Sequence, residues 1–496
     1  MFGLILGSLL GLSLLLVLYW RRKYPMPKPY PLNVEKNLPL PWLAQTSTVF
    51  SLTALFGAYF GIAVTLGLPA LAGLACGTVL GLFLVRHWIE YTLRGIKKRD
   101  KGFEDFLSAI LKGDRLDVTA YALTISVIQC IYATSELLIL REIAKVALGL
   151  KSEQATLLAI CVAIVGYFYV LLGGYVALFR TDVGQLLLVG AMALVSSVVL
   201  VFRHSQIGWS TAKLWPRPGF WEIPLVGPTR WSYLYHFVLA TTMALGFLLT
   251  SPDTWKRVFQ VNKDQGKQKN YTPRRRVLTF VGVGVLPYLI LLPFALTVGT
   301  KADPQIKHDF SLPPALANNW VFVAVALGLV SSFLSSFNSA LLGSAHIALI
   351  WRRRFLRSRK SEEKVPELAR FYQMVMISFV VVCLVFVTAL AILCNPGRNG
   401  FNNPWLLGNL LMGGYAAIGG IQIGAGGDVS RIPKYGLQAV LVVAMVIWVR
   451  YFLSSPGFSQ HPTVFSVNTV PVGVAVCIGI AVSIRLLILV LGERKT

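Results

Sequence analysis

GGYVALFRTDVGQ, residues Gly173 to Gln185, joins two long apolar runs and sets Arg180 and Asp182 at the edge of what would be hydrocarbon. Its reading depends on what surrounds it. The chain has 496 residues, of which 55% are hydrophobic and 14% charged, with a mean hydropathy of +0.65. A soluble domain carries about a quarter charged residues. Apolar runs of about twenty residues, enough to cross a bilayer, recur from end to end. A spanning β-barrel would show short alternating segments instead. The sequence therefore predicts an all-α polytopic membrane protein.

About thirteen spans are expected from the apolar runs. They cover Phe2–Trp20, Thr48–Leu66, Pro69–His87, Val118–Gly149, Gln154–Leu172, Gly174–Phe202 and Ser232–Thr250. The remainder are Leu278–Val298, Trp320–Ile350, Gln373–Cys394, Trp405–Ala425, Leu437–Phe452 and Val470–Leu491. With the N-terminus outside, the basic clusters "WRRKYP", "RGIKKRDKG", "KRVFQVNKDQGKQKNYTPRRR", "WRRRFLRSRK" and "ERKT" all fall inside. The opposite loops hold far fewer cations, which is the positive-inside asymmetry. The net charge of +25 thus orients the chain in a cell membrane with a cytoplasmic C-terminus. It makes anionic lipid of the inner face a partner and leaves no basic soluble domain for nucleic acid. The first run has no basic residues before it and no small-residue cleavage pattern, so it reads as a retained helix.

Six scattered cysteines form no CxxC or Cys/His cluster, so neither a metal site nor a disulfide framework is expected. "GFEDFLSAILKGDR" places Phe103, Phe106, Leu107, Ile110 and Leu111 at helical spacing, which predicts an amphipathic helix lying on the inner membrane face. The segment His204–Arg230 is rich in Trp and Pro and reads as interfacial anchoring.

Polar residues at membrane depth are costly, so their grouping points to function. Gly57, Gly61 and Gly67 interrupt an apolar run that ends in Pro69. Unwound backbone beside a cavity and close helix packing both account for them. In "GLVSSFLSSFNSALLGSAH", Ser331, Ser332, Ser335, Ser336, Asn338 and Ser339 put six polar groups into nine positions. Their oxygens are hard ligands suited to a small hard cation. The third group is the opening stretch with Asp182. Arg180 and Asp182 are two apart and so lie on different helix faces, which argues against a mutual pair.

These segments together resemble the sodium:solute symporter family. "NLPLPWLAQTSTVFSLTALFGAYFGIAVTLGLP" is similar to its "GRxLPWW…SL…A…GxPG" pattern, and "GGYVALFRTDVGQ" resembles "GGLxAVxxTDxxQ". "SPDTWKRVFQVNKD" resembles the loop "WQRxxAAKD", and "SSFLSSFNSALLGSAHIALIWRRRF" resembles "AAxxSTxxSxLLxxSSxxxxDxY". The resemblance implies a leucine-transporter-like fold with inverted five-helix repeats, here 46–202 and 232–425. The segments 1–45 and 436–492 would be peripheral. The first helix of each repeat would be broken, at "FGAYFGIAVTLG" and at "HFVLATTMALGFLL".

The resemblance further implies a sodium-coupled symporter of a small organic solute. Its sodium ion would be held by the carbonyls of Gly57, Phe60 and Ser332 and the hydroxyls of Ser335 and Ser336. Asp182 would stand nearby on the ion's exit path, and Tyr59, Val64, Glu136, Thr241 and Thr242 would line the solute site. The chain departs from the family at Tyr59, where Asp, Asn or Ser is common, at Val64, where sugar carriers present Gln, and at Glu136, where Gln is usual. A sugar or proline recognised in the familiar way does not fit those departures. Glu136 reads equally as a solute ligand, a proton-coupling acid or a structural group, and it need not pair with Arg141, about 140° around the helix. A membrane sensor or scaffold without coupled flux is the other class, and the lack of an output domain after Thr496 favours transport. No HExxH, Ser/His/Asp or paired-carboxylate constellation supports an enzyme.

Overall fold

The computed structural model describes residues 56–94, 102–111, 115–148, 150–202, 248–267, 319–356 and 365–393, together with isolated helical positions elsewhere. The segment His204–Arg230 and the spans expected after Trp405 lie outside the described residues, as does Thr242. Seven helices are delimited: α1 (Phe56–Arg94), α2 (Phe103–Ile110), α3 (Arg115–Leu148), α4 (Ser152–Phe202), α5 (Pro252–Lys267), α6 (Asn319–Leu356) and α7 (Val365–Leu393). Isolated helical positions between 234 and 250 and between 281 and 289 fall in the seventh and eighth expected spans. Five stretches are long and apolar enough to cross a membrane: Leu71–Arg94, Tyr121–Leu138, Ser152–Gly173, Phe333–Arg353 and Arg370–Thr388. The protein is an all-α, multi-pass membrane protein.

α3, α4, α6 and α7 all pack on one another, with α6 at the centre. Its window Phe333–Arg353 is 94% buried, against 33% for α7, so α6 carries its serines without facing lipid. α7 is the rim. Met374, Ile377, Val381 and Val385 form an exposed apolar stripe at helical spacing, and Met376, Phe379, Val380 and Cys383 bury the opposite face. Side chains tie the group together. The sulfurs of Cys130 on α3 and Cys383 on α7 lie 3.4 Å apart. Arg141 on α3 donates to Ser152 Oγ (2.6 Å) and Thr156 Oγ1 (2.9 Å) on α4. Trp351 on α6 donates to Thr119 on α3 at 2.8 Å.

α1 belongs to a second group. Gly73, Gly77 and Gly81, one turn apart, bring α1 against Phe237, Thr241 and Leu248 of the seventh span. A Cβ at Gly73 or Gly77 would strike a backbone carbonyl there, so the close approach depends on the missing side chain. On α1, the Thr78 hydroxyl donates to Leu74 O at 2.8 Å and meets Tyr288 of the eighth span at 2.5 Å.

Two boundaries differ from expectation. The second and third expected spans are joined, because helical backbone runs from Phe56 through Pro69 to Arg94. Pro69 has no N–H for the Thr65 carbonyl, which makes this the natural point for the helix to bend. The fifth and sixth expected spans likewise share α4, whose 51 residues would reach about 77 Å if straight, against about 30 Å of hydrocarbon. Gly166 and Asp182 would then be about 24 Å apart. Yet Gly166 lies against Asn338, and Asp182 bonds to Ser335, within one turn of α6. The axis of α4 therefore bends between Gly166 and Asp182.

The amphipathic helix α2 also differs. It forms as expected, with the Gly102 N–H donating to Asp105 Oδ2 at 2.8 Å. Its apolar face is buried in protein, however, and not laid on lipid. Phe103, Phe106, Leu107 and Ile110 are each at most 1% exposed. They meet Trp88 of α1, Trp255 and Phe259 of α5 and His346 of α6. Arg353 of α6 closes the contact with a 2.8 Å ion pair to Glu104. A lipid-facing and a protein-facing amphipathic helix have the same periodicity, so only the presence of these aromatic partners separates them.

Candidate functional site: a buried carboxylate–arginine junction on the serine helix

The site begins with α5. Ser251 precedes its first turn and caps it: its hydroxyl accepts from the Thr254 N–H at 3.4 Å and its carbonyl from the Trp255 N–H at 3.1 Å. Asp253 in that first turn suits the positive end of the helix dipole. The Trp255 indole donates to Leu249 O at 3.2 Å and packs edge-on against Trp88, 5.1 Å between centroids. These contacts fix α5 to the α1 group and aim Arg257 across to the other group.

Arg257 is fully buried and joins three helices. Its Nε donates to Asp253 Oδ2 at 2.5 Å, its Nη1 to Asp182 Oδ2 of α4 at 2.7 Å, and its Nη2 to Ser339 Oγ of α6 at 3.0 Å. Ser335 Oγ, one turn before Ser339, donates to Asp182 Oδ1 at 3.2 Å. Burial disfavours the guanidinium charge, but Asp253 and Asp182 outweigh it and raise the arginine pKa above its ordinary value. Several polar atoms around the junction have no hydrogen-bond partner among the described residues: Asp253 Oδ1, Gln185 Oε1, Tyr169 Oη and both amide atoms of Asn338. Most are oxygens, so the surroundings of Asp182 are rich in hard acceptors.

The structure brings some expected site residues together. Ser335 and Asp182 bond directly at 3.2 Å. Ser336 is buried beside them at 1% exposure, and Ser332 lies one turn earlier in the unbroken helix, its side chain outside the described residues. Gly57, Tyr59, Phe60 and Val64 lie in helical backbone at the start of α1, their side chains also outside the described residues. Thr241 is half-buried and donates to Phe237 O of its own helix at 2.7 Å. Glu136 is 1% exposed on α3, with Tyr132 bonded to its carboxyl group and Oε2 left without a partner. Asn338 and Ser339 belong to the polar run already legible in the sequence, whereas Arg257 and Asp253 carry no such sign. Arg257 sat in a quoted motif, but one arginine in a basic segment carries no local sign of burial.

Comparison with solved structures gives the fold. A substrate-bound, outward-open Na+-coupled sialic acid symporter superposes with a TM-score of 0.63 at 16% identity, covering 98% of this chain and 97% of that one. The chain has a leucine-transporter-like fold. Mhp1, a nucleobase-cation-symport-1 family transporter bound to bromovinylhydantoin, gives a TM-score of 0.42 at 12% identity over 89% of this chain and 92% of that one. A manganese transporter from Eremococcus coleocola gives 0.42 at 11% identity, with 90% and 92% covered. No family model and no curated protein matches the sequence.

Proposed function

We propose that the chain is a cation-coupled secondary transporter of a small organic solute that works by alternating access. The observation that supports it most is the buried Arg257 junction, which ties the α1 and α5 group to α4 and α6 of the other group. In a leucine-transporter-like fold, transport requires one helix group to move against the other around a site between them. The junction is then a latch at the cytoplasmic side, closed while Arg257 holds Asp182 and Ser339 and open when that contact parts. Sodium is the proposed coupling ion. The hydroxyls of Ser335 and Ser336 and the carbonyls of Gly57, Phe60 and Ser332 would hold it, with the inverted repeats over 46–202 and 232–425.

Asp182 has two partners in this scheme, the fixed guanidinium and the mobile ion. An arriving cation competes with Arg257 for the carboxylate and for the serine oxygens. Ion arrival and latch opening are thereby coupled through one group. The N-terminus lies outside and the basic loops face the anionic lipid of the inner leaflet. Uptake by proteoliposomes of a panel of small solutes, with and without an inward sodium gradient, tests the reading. Solute binding with no uptake under any ion gradient would replace it with the sensor or scaffold reading.

A further inference from the structure

Glu136 is the buried acid that the junction leaves out. Among the described residues it makes no ion pair. Tyr132, one turn earlier, bonds to its carboxyl group, and Oε2 has no partner. Arg141, the nearest cation along α3, directs hydrogen bonds to Ser152 and Thr156 of α4. A buried carboxylate with a free oxygen is costly unless a donor, and best a cation, reaches it. Protonation removes the charge but still leaves that oxygen without a hydrogen-bond partner.

The face of α3 settles where that donor comes from. Gln129 donates from α3 to Thr250 O of the seventh span at 3.4 Å, which marks the side of α3 turned toward the second helix group. Glu136 is seven residues on, within about 20° of the same face and about 10 Å farther along the axis. Cys130, which meets α7, and Arg141, which meets α4, lie on a different side. Thr119, at the far end of α3, meets Trp351 just before the basic Arg352 and Arg353. Glu136 therefore faces the interface between the two groups, about a third of a bilayer's thickness away from Thr250. That interface is where a fold of this kind admits its solute.

We infer that the transported solute carries a protonated amine whose N–H group bonds to Glu136 Oε2. The inference rests on the transporter reading and adds the chemical class of its substrate. An ammonium group supplies both the charge and the hydrogen-bond donor that the orphaned oxygen lacks. A carboxylate head would meet repulsion there, and a quaternary ammonium offers charge without a donor.

The test is ligand-induced thermal stabilisation of the purified full chain in detergent, with ethanolamine, putrescine and agmatine as probes. Glycolate, succinate, ethylene glycol and butane-1,4-diol serve as matched anions and neutral analogues. At least one amine is expected to stabilise the wild type, with no effect from its analogues. Glu136→Gln, which presents an amide N–H to the ammonium, should weaken amine binding by about tenfold or more. Glu136→Asp keeps the charge and should retain amine selectivity, and its elution on size exclusion separates loss of binding from loss of folding. Absence of any amine effect, stronger binding of the anions, or equal binding by wild type and Glu136→Gln would overturn the inference. Proteoliposome uptake separates it from the function it rests on. Amines that bind through Glu136 without being moved leave the amine-binding role of Glu136 standing and end the transport reading. Sodium-driven uptake of an anionic or neutral solute, unchanged in Glu136→Gln, does the reverse.

Discussion

Arg257 Nη1 donates to Asp182 Oδ2 at 2.7 Å although the two residues are 75 positions apart, and each side chain is at most 1% exposed. Asp182 therefore finds a counter-charge on a helix that follows the seventh span. The same guanidinium reaches Asp253 and Ser339, so one side chain satisfies groups on three helices.

Removing Arg257 leaves two carboxylates buried with no counter-ion. Arg257→Ala should destabilise the protein by about 3–5 kcal/mol. Arg257→Lys keeps the charge but replaces a planar fork with a point donor, and should lose less. Thermal unfolding in detergent measures both. Arg257→Ala combined with Asp182→Asn should recover part of the loss, because one of the stranded charges is gone. A double variant no more stable than Arg257→Ala would mean that the pair is not the source of the effect.

At the proposed cation site, Ser335→Ala or Ser336→Ala should raise the sodium concentration needed for half-maximal uptake about tenfold, the effect of losing a hydroxyl ligand worth about 1–2 kcal/mol. Expression should be little changed. Ser335→Ala also removes the 3.2 Å bond to Asp182, so it should slow turnover as well, as should Asp182→Asn. A sodium titration of uptake with identical midpoints in wild type and both serine variants would exclude the site.

Gly77 decides how closely α1 approaches the seventh span. A methyl group there meets the Thr241 backbone carbonyl, which cannot rotate away as a side chain could. Gly77→Ala should cost about 1–3 kcal/mol through forced separation of the helices. Gly184, with open space around its Cβ position, serves as the control: Gly184→Ala should leave the unfolding temperature unchanged or slightly raised. Comparable losses in the two variants would mean that the contact with Thr241 is not the source of the effect.

The orientation predicted from charge places Ser361–Glu367, which runs into the start of α7 at Val365, in the cytoplasm and Asp303–Leu312, which lies beyond the described residues, outside. In a variant lacking the native cysteines, single cysteines introduced in these segments should react with an impermeant thiol reagent from opposite sides. Labelling from the same side would remove the assigned topology and, with it, the inverted repeat.

The sequence by itself determined whatever depends on local composition and period. Runs of apolar residues fixed the helical membrane class, since a bilayer interior demands internally bonded backbone over a set length. The serine-rich run at Ser331–Ser339 was legible as a polar segment at membrane depth. The order of its motifs resembled those of a leucine-transporter-like family, whose fold the structure has. Tertiary structure alone decided the partners. Nothing within a helical turn of Asp182 specifies Arg257, because an ion pair between distant segments leaves no periodic trace in either. Nothing in the 3.6-residue pattern of Phe103–Ile110 distinguishes lipid from Trp88, Trp255 and His346, since each removes the same apolar face from water. Helix length was likewise ambiguous, because a bend that keeps helical backbone through α4 leaves no break in the sequence and shows only where Gly166 and Asp182 meet the same turn of α6.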